Sequence, residues 1–405
     1  MVVSATGIAL SLVIVAVPRS EGGRTEILSA EPCGSFATPA PDRRRGAVHH
    51  YEYVVPDGNI CVYDIDHGLK LVRAFSLPQA KGVRGIAANV AKSVLYISYG
   101  GDGGGNGNGS LLSFNLVRRK VVWTRSYDSG VDSMAMSGGG RKIFMPTGEL
   151  SAEGTWNVLD ARSGRIVGEI HGGAGPHNTI VGLRGTTVYL GGRNSNYLAL
   201  ASTRTYHVLR RVGPLKSGVR PFTVNGEETI AYTTATGFLG FEVSDLRRGR
   251  RLYTIPIQGF TWDPREFLPS APSHGISLSP DESELYVMDA PNSYVHVFDV
   301  RGVPARPPRK VADIKIRDMA GTESPCAYDC ARDGWLQHSR DGRFVFVGDS
   351  GDVISTTTRR IVSNLPSLRN SRKSLEIDWK NGRPVGTTSR YGLGYVRRSR
   401  TSATR

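Results

Sequence analysis

The stretch that decides the fold is His274-Gly-Ile-Ser-Leu-Ser-Pro-Asp-Glu-Ser-Glu-Leu-Tyr-Val-Met-Asp289, which is soon followed by Tyr294-Val-His-Val-Phe-Asp299. A short apolar run leads into a Ser-Pro-Asp turn, and two further runs of β-branched and aromatic residues each end at an aspartate. Related units begin at five other positions: Arg84, Asp132, His177, Arg220 and Asp333. The spacing between units is about 43 to 59 residues, and repeats of this length indicate a stacked or circular array.

The composition of the repeats is typical of short strands joined by turns. Each unit contains runs of four to eight β-branched and aromatic residues, which favour strands. The chain also has 49 glycines and 22 prolines, and 39% of its residues are hydrophobic. Because no stretch of helical length carries sustained apolar residues three and four positions apart, the sequence predicts an all-β fold.

Two incomplete pieces at the ends of the array predict that it closes into a ring. Three strand-like runs at 51–55, 59–64 and 71–75 lack a leading strand. The segment 373–379 is a spare strand, with Leu375, Ile377 and Trp379 alternating on one face. Pairing the two pieces gives a seven-bladed β-propeller of four-stranded antiparallel blades, closed by a C-terminal strand that joins the first blade.

The units resemble the YVTN/YncE-type repeats of seven-bladed β-propellers over about residues 50–390. The matching features are the Ser279-Pro280-Asp281 turn, the Leu285-Tyr286-Val287 strand, and the strand-end aspartates Asp64, Asp160 and Asp299. The Gly-His and Trp-Asp signature of WD40 repeats is absent from the sequence. Two units depart from the pattern, since the one at His177 lacks the strand-end aspartate and the one at Arg220 lacks the Ser-Pro-Asp turn. The resemblance implies the fold, and a fold alone does not assign a chemistry.

The ends of the chain lie outside the repeats and predict an exported protein. Residues 1–20 are interpreted as a signal segment, because the apolar run 7–17 has the length of a signal core and is too short to cross a bilayer. Residues 21–48 are a predicted linker, 49–390 the propeller, and 391–405 a basic disordered tail. We therefore expect an extracellular, periplasmic or cell-envelope location and no transmembrane span.

The four cysteines fit export, because disulfides persist in oxidising compartments. Cys326 and Cys330 share one inserted loop and could close a small disulfide ring, which leaves Cys33 and Cys61 as the other pair. A metal site is the alternative for the loop pair, although two cysteines at this spacing are weak evidence for one.

The net charge of +15 is spread over the turns of every unit rather than gathered in one stripe. No nucleic-acid-binding module is recognisable, so the charge does not predict specific nucleic-acid recognition. A basic surface can attract acidic partners. We expect a monomer whose partner is a protein or an anionic polymer at the cell envelope.

The first residue of each unit predicts a site at the centre of the ring, because the first strand of each propeller blade lines the central channel. These residues are Arg84, Asp132, His177, Arg220, His274 and Asp333. Arginines can clamp an anionic ligand, and histidines can act as acid, base or metal ligand. His177 and His274 are the candidate metal ligands, although they come from the fourth and sixth blades and could share an ion only near the axis. Trp335 and His338 are expected near the axis as well.

A structural interpretation of the same ring is that its opposite charges pair and hold water between the blades. Two functional classes therefore stay open. The favoured one is a non-catalytic binding scaffold with a ligand at the polar mouth of the channel. The alternative is an enzyme, since propellers similar to this one include lactonases of the phosphogluconolactonase type and the heavy subunits of quinoprotein amine dehydrogenases. The sequence leaves the cofactor unknown, and motifs for a serine-hydrolase elbow, a P-loop or a His-Glu-x-x-His metal site are absent from it.

Overall fold

The computed structural model describes residue 33 and residues 46–100, 109–265, 271–319, 332–369 and 371–388. These residues form seven antiparallel sheets, the blades of an all-β propeller, which confirms the predicted fold class. The predicted signal segment, most of the linker and the basic tail lie outside the described residues. No helix in the described part of the chain has the length and apolar character needed to cross a membrane.

The strands follow the repeat units in chain order. Blade 1 begins with β1 (Val48–Val54), β2 (Asn59–Asp64) and β3 (Lys70–Ser76). Blade 2 consists of β4 (Val83–Asn89), β5 (Val94–Tyr99), β6 (Ser110–Asn115) and β7 (Lys120–Ser126). Blade 3 consists of β8 (Ala135–Met136), β9 (Lys142–Pro146), β10 (Thr155–Asp160) and β11 (Ile166–His171). Blade 4 consists of β12 (Pro176–Val181), β13 (Thr187–Gly192), β14 (Leu198–Ser202) and β15 (Val208–Val212).

The remaining blades have the same order of strands. Blade 5 consists of β16 (Val219–Val224), β17 (Ile230–Ala235), β18 (Gly240–Asp245) and β19 (Arg250–Pro256). Blade 6 consists of β20 (Ile276–Leu278), β21 (Glu284–Asp289), β22 (Tyr294–Asp299) and β23 (Arg309–Lys315). Blade 7 consists of β24 (Trp335–His338), β25 (Phe344–Gly348), β26 (Asp352–Ser355) and β27 (Arg360–Asn364). The last two strands are β28 (Ser374–Lys380) and β29 (Arg383–Thr387). Single 3-10 turns follow β4 at Val90–Lys92 and β27 at Pro366–Leu368.

Local hydrogen bonds explain why the repeat motif contains aspartates. Asp245, at the end of β18, accepts hydrogen bonds at Oδ1 from the backbone N–H groups of Arg247 (2.9 Å) and Arg248 (2.8 Å). In the Ser-Pro-Asp turn, the Ser279 hydroxyl donates to Asp281 Oδ1 at 2.6 Å. Such side-chain bonds fix tight turns between strands. Blade 5 lacks this turn, and Asn225 takes over its role by accepting from the backbone of Thr229 at 2.8 Å.

The ring closes between the two ends of the array. Strand β28 pairs with β1 in antiparallel register, with Tyr51 opposite Ile377 and Val54 opposite Ser374. Leu375 and Ile377 are buried in a core that also contains residues of blade 2. The alternating apolar residues of β28 therefore pack between neighbouring blades, as the spacing predicts.

Strand β29 adds a fifth strand to blade 1, which the sequence does not predict. It pairs with β28 on the side away from β1, so the sheet order is β29-β28-β1-β2-β3. The side chain of Thr388, just after β29, contacts Gln337 of blade 7, and β29 also contacts the 3-10 turn of blade 2. Strand β29 therefore lies against blades 1, 2 and 7. It pairs with the C-terminal part of β28, so it lies away from the end of the channel where β28 begins.

A close approach explains one glycine in β29. A Cβ atom at Gly386 would lie 1.9 Å from the Arg340 guanidinium and 2.7 Å from Asp378 Oδ2. A side chain here would require the flexible end of the Arg340 side chain to shift.

The structure contains a disulfide between Cys33 and Cys61, whose Cα atoms are 5.4 Å apart. It ties a residue of the predicted linker to β2 of blade 1. Cys326 and Cys330 lie outside the described residues, so their pairing stays a prediction.

Candidate functional site

All six predicted channel residues line one cavity at one mouth of the channel. They are Arg84, Asp132, His177, Arg220, His274 and Asp333. Each lies in or just before the first strand of its blade, because the repeat unit starts there. Apart from Arg84, these residues are buried, with exposed fractions between 1% and 4%. The repeat register thus places ionisable side chains from six blades around one axis.

A seventh residue of the cavity, Glu149, binds three arginines. Its Oε1 accepts a hydrogen bond from Arg84 (2.7 Å), and its Oε2 accepts from Arg193 (2.8 Å) and Arg220 (2.9 Å). Three guanidinium groups thus share one buried carboxylate. Sequence reasoning missed Glu149 because it lies in the loop between β9 and β10 and not at the start of a first strand. We refer to these seven residues as the mouth network: Arg84, Asp132, Glu149, His177, Arg220, His274 and Asp333.

Asp132 and His177 form a buried pair on one side of the cavity. The Asp132 Oδ2 atom is 2.8 Å from His177 Nδ1 and 3.4 Å from the Arg84 guanidinium. The backbone N–H of Ser133 donates to the other oxygen, Oδ1, at 2.7 Å. Burial acts to raise the pKa of Asp132, but His177 and Arg84 hold it below its ordinary value. Asp132 is therefore a carboxylate that orients the imidazole of His177.

His274 and Asp333 occupy the other side. The Nδ1 atom of His274 is 2.9 Å from the carbonyl oxygen of Gly334 and 3.4 Å from Asp333 Oδ1. The Arg372 guanidinium pairs with Asp333, and it also lies 3.2 Å from Asp349 Oδ2. The arginines of the mouth therefore already bind carboxylates of the protein, which supports the interpretation of paired charges.

One ring nitrogen of each histidine, Nε2, has no hydrogen-bond partner among the described residues. The partners of their Nδ1 atoms are a carboxylate and a carbonyl, which only accept, so Nδ1 carries the proton and Nε2 bears a lone pair in the neutral ring. The Nε2 atoms of His177 and His274 are buried and have no hydrogen-bond partner among the described residues. The two ring centroids are 5.7 Å apart. Two histidines from blades 4 and 6 thus line one cavity.

The surroundings keep both rings neutral near pH 7. Burial lowers the pKa of His177, and the positive charge of Arg220 lowers it further. The carboxylates of Asp132 and Glu149 raise it, but the net shift is downward. Burial lowers the pKa of His274 well below its ordinary value, and Arg220 and Arg372 add to this effect. Each ring therefore offers an acceptor or a metal ligand rather than a second donor.

The free space in the cavity is small. It amounts to about 20 Å³, which is room for one or two water molecules. One ligand atom each from Asp132, Glu149 and His177 lies within 4.8 Å of the others, a spacing that a metal ion could use. Because three arginines already neutralise Glu149, this acidic group is a poor candidate for a cation.

The two further axial residues differ in position. Trp335 lies beside the cavity, with its ring 5.6 Å from that of His274 and the Lys373 ammonium 4.3 Å from its centroid. His338 does not reach the mouth, and its Nδ1 pairs with the Ser277 hydroxyl at 2.8 Å inside the blades. The reason is strand alternation: position 338 faces the side opposite to Asp333 and Trp335.

A second cluster of ionisable groups lies on the closing blade, away from the mouth. His50, Glu376 and Asp378 come close enough to suggest a metal site. Each already has a partner, however: His50 Nδ1 is 2.9 Å from Asp66, and Glu376 Oε2 accepts from the Arg340 backbone N–H at 2.7 Å. The Arg340 guanidinium binds Asp378. We interpret this cluster as structural.

Glu376 should make stability depend on pH. Burial raises its pKa to about 7, from an ordinary value of 4.5. Between pH 4.5 and 7 the folded chain keeps a proton on Glu376 that the unfolded chain has lost. The free energy of unfolding is therefore highest, with respect to this group, below pH 4.5, and it falls as the pH rises to 7. The loss is about 3 kcal/mol. We expect Glu376→Gln to unfold at nearly the same urea concentration as wild type at pH 4.5, and at a clearly higher one at pH 8.

The matched control for this experiment is Glu169→Gln, at an exposed position. It should leave the pH dependence unchanged. A Glu376→Gln protein with the same pH profile as wild type would show that the carboxyl ionises normally in the folded chain.

A larger concave surface lies beyond the far end of β28. It has a volume of about 450 Å³, and Tyr51, Arg73, Arg119 and Trp379 are among the residues that line it. The Arg73 guanidinium lies 5.8 Å from the Tyr51 ring centroid. The volume is in the range of small-molecule sites, and no sequence motif marks this surface.

The comparisons with known proteins bear on the fold. No family model and no curated protein matches the chain. Among solved structures, the chain is similar to hydrazine synthase from Kuenenia stuttgartiensis, with a TM-score of 0.52 and 14% sequence identity. The alignment covers 68% of this chain and 77% of that chain. At this identity the likeness shows the fold alone, and it supports a seven-bladed β-propeller.

Proposed function

We propose that this chain is an exported β-propeller that acts as a binding scaffold and holds a small polar ligand at the mouth of its channel. The observation that carries the proposal is the pair of buried histidines, His177 and His274, whose Nε2 atoms face no partner among the described residues. Buried polar atoms in folded proteins nearly always have partners. Two such atoms in one cavity offer lone pairs that a small polar ligand could share.

Export is supported by the disulfide between Cys33 and Cys61, because such bonds persist mainly in oxidising compartments. The apolar run near the N-terminus has the same implication. The scaffold is a monomer in this proposal, and its basic surface suits a protein or an anionic polymer at the cell envelope as a larger partner. This partner would contact the outside of the ring rather than the narrow mouth.

An enzyme is the second candidate, and one observation favours it. Asp132 orients His177 at 2.8 Å, as a carboxylate orients a general base. The space of about 20 Å³ beside this pair has no room for a sugar lactone. The size of the cavity therefore favours a binding role over a lactonase, and we retain the YVTN/YncE-type family as part of the proposal.

A thermal-shift experiment tests the scaffold proposal. The purified protein is heated with single metal ions, ammonium, small amines, sugar phosphates, lactones and anionic polymers. A small ligand at a hundred times its Kd should stabilise the wild type by about 2.7 kcal/mol. It should not stabilise the double variant His177→Gln/His274→Gln. If no small compound raises the Tm of the wild type, or if the same rise occurs in the double variant, the mouth is not a ligand site.

A further inference from the structure

The concave surface beyond the far end of β28 suits the larger partner of the proposed scaffold, and this inference rests on the proposed function. The surface lies between blade 1 and the turn that joins β6 to β7 in blade 2. Lys373, just before β28, lines the mouth, whereas Trp379, near the end of β28, lines this surface. It is therefore separate from the mouth network. We refer to it as the blade 1–2 groove, defined by Tyr51, Arg73, Val117, Arg119, Trp379 and Asn381.

One side of the groove is a row of aromatic rings. Trp379 on β28 lies directly opposite His49 on β1, and the rings of His49 and Tyr51 are stacked with their centroids 6.4 Å apart. The indole N–H of Trp379 donates to the Tyr53 hydroxyl at 3.0 Å, which fixes the position of the indole. Tyr51 and Trp379 are only partly buried. Their rings therefore offer a positioned apolar surface to a ligand.

The groove carries positive charge and no negative charge. The Arg73 guanidinium lies 5.8 Å from the Tyr51 centroid, and Arg119 is exposed in the β6–β7 turn. Unlike the arginines of the mouth network, neither has an ion pair or a hydrogen bond with a described residue. None of the described residues that line the groove is acidic. Two guanidinium groups are thus available for bidentate bonds to carboxylates.

The combination of rings and arginines favours a polymer of acidic sugars. A sugar ring has a face of C–H groups, which can pack on an aromatic ring, and hydroxyl groups at its rim, which the Asn381 amide can bind. A uronic acid unit adds one carboxylate to each ring. The volume of about 450 Å³ is in the range of sites that enclose a ligand of several rings.

Two other classes of anionic partner fit the groove less well. An acidic peptide that adds to a sheet needs an unpaired strand edge, but β1 and β28, which supply the rings, are each paired on both sides. Nucleic acids bind without sequence preference through many phosphate contacts, whereas this groove supplies two arginines.

We propose that the blade 1–2 groove binds a segment of a polysaccharide that contains uronic acid units. The rings of Tyr51 and Trp379 pack against the sugar rings, and Arg73 and Arg119 bind the carboxylates. The scaffold then has two separate sites, one for a small ligand at the mouth and one for an acidic glycan at the groove.

Isothermal titration calorimetry of the full chain tests this proposal with short oligomers of galacturonate and of mannuronate. We expect at least one of them to bind, and its carboxyl-reduced, neutral form to bind at least about tenfold more weakly, because the bonds to the guanidinium groups are lost. The double variant Arg73→Gln/Arg119→Asn should lose the same factor for the acidic oligomer. Asparagine is chosen at position 119 because this residue has a φ of 55°, which asparagine tolerates.

The matched control is Arg118→Gln/Lys120→Gln. Both residues are exposed in or beside the same turn and do not line the groove. Their loss removes two positive charges and should change the affinity by no more than about twofold in physiological salt. The acidic oligomer should also change the tryptophan fluorescence of the wild type, and this change should be absent in Trp379→Phe. Circular dichroism shows whether each variant is folded.

Four results contradict the groove proposal: no binding of either acidic oligomer to the folded wild type, equal losses in the two double variants, an unchanged fluorescence response in Trp379→Phe, or equal affinity for oligothymidylate or oligoglutamate. The last would indicate a surface for polyanions in general. The mouth is tested separately, since His177→Gln/His274→Gln should bind the acidic oligomer as the wild type does. A loss of binding in that variant would place the oligomer at the mouth, so the groove proposal would fail while the scaffold proposal stands.

Discussion

Replacing Glu149 with alanine is expected to lower the free energy of unfolding by about 3–5 kcal/mol. The carboxylate accepts hydrogen bonds from Arg84, Arg193 and Arg220, all within 2.9 Å, and is itself buried. Burial acts to raise the pKa of Glu149, but His177 and the surrounding arginines hold it well below its ordinary value. Its removal leaves three guanidinium groups close together without their shared carboxylate in a largely buried site. Urea unfolding followed by circular dichroism measures the loss.

Glu153→Ala is the matched control, because Glu153 lies in the same loop and is exposed. It should change the free energy of unfolding by no more than about 0.5 kcal/mol. Adding Arg193→Met to Glu149→Ala should recover part of the stability, since one of the uncompensated charges is then gone. Equal losses in Glu149→Ala and Glu153→Ala would mean that the mouth network does not stabilise the ring.

The blades could be predicted from the sequence because their motifs act locally. The aspartates at strand ends and the Ser279 turn make hydrogen bonds to groups two to five residues away. Related local chemistry recurs in most units, so it is visible as a repeat. The closing strand was predictable for a related reason, since Leu375 and Ile377 alternate as a buried strand requires.

Strand β29 could not be predicted in this way. Its sequence, Arg-Pro-Val-Gly-Thr, has no apolar alternation and contains both a proline and a glycine. Its position depends on contacts with distant residues, including Gln337 and Glu376, which bind Thr388. Such contacts exist only after the ring has closed.

The sequence predicts which first-strand residues line the candidate site, but it does not predict which of them pair with each other. The six first-strand positions follow from the repeat register alone. Glu149 lies in a loop, where a single glutamate carries no signal. The tautomers of His177 and His274 depend on Asp132 and on the Gly334 carbonyl, which come from neighbouring blades or a following segment. Which arginine pairs with which carboxylate is likewise a property of the folded ring.

Proline at Ile377 is expected to open the ring and to lower the free energy of unfolding by about 4 kcal/mol. The N–H of Glu376 donates to Thr388 Oγ1 at 2.8 Å, and its carbonyl accepts from the Thr388 N–H at 3.1 Å. Backbone groups alternate along a strand, so those of Ile377 point to Tyr51 on β1. Proline removes one of these bonds and replaces a fully buried branched side chain with a ring of different shape that packs less well in the same space.

Ile377→Val separates the two causes, because it keeps the backbone N–H and loses one methylene group. It should cost only about 0.5–1.5 kcal/mol. The proline variant should also expose Trp379 to solvent, since this residue lies on β28 and its indole N–H donates to Tyr53 at 3.0 Å. Because the chain has five tryptophans, a fluorescence change that is absent when Trp379 is also replaced by Phe reports the opening. Similar unfolding midpoints for the proline and valine variants would mean that pairing of β28 with β1 adds little to the stability of the propeller.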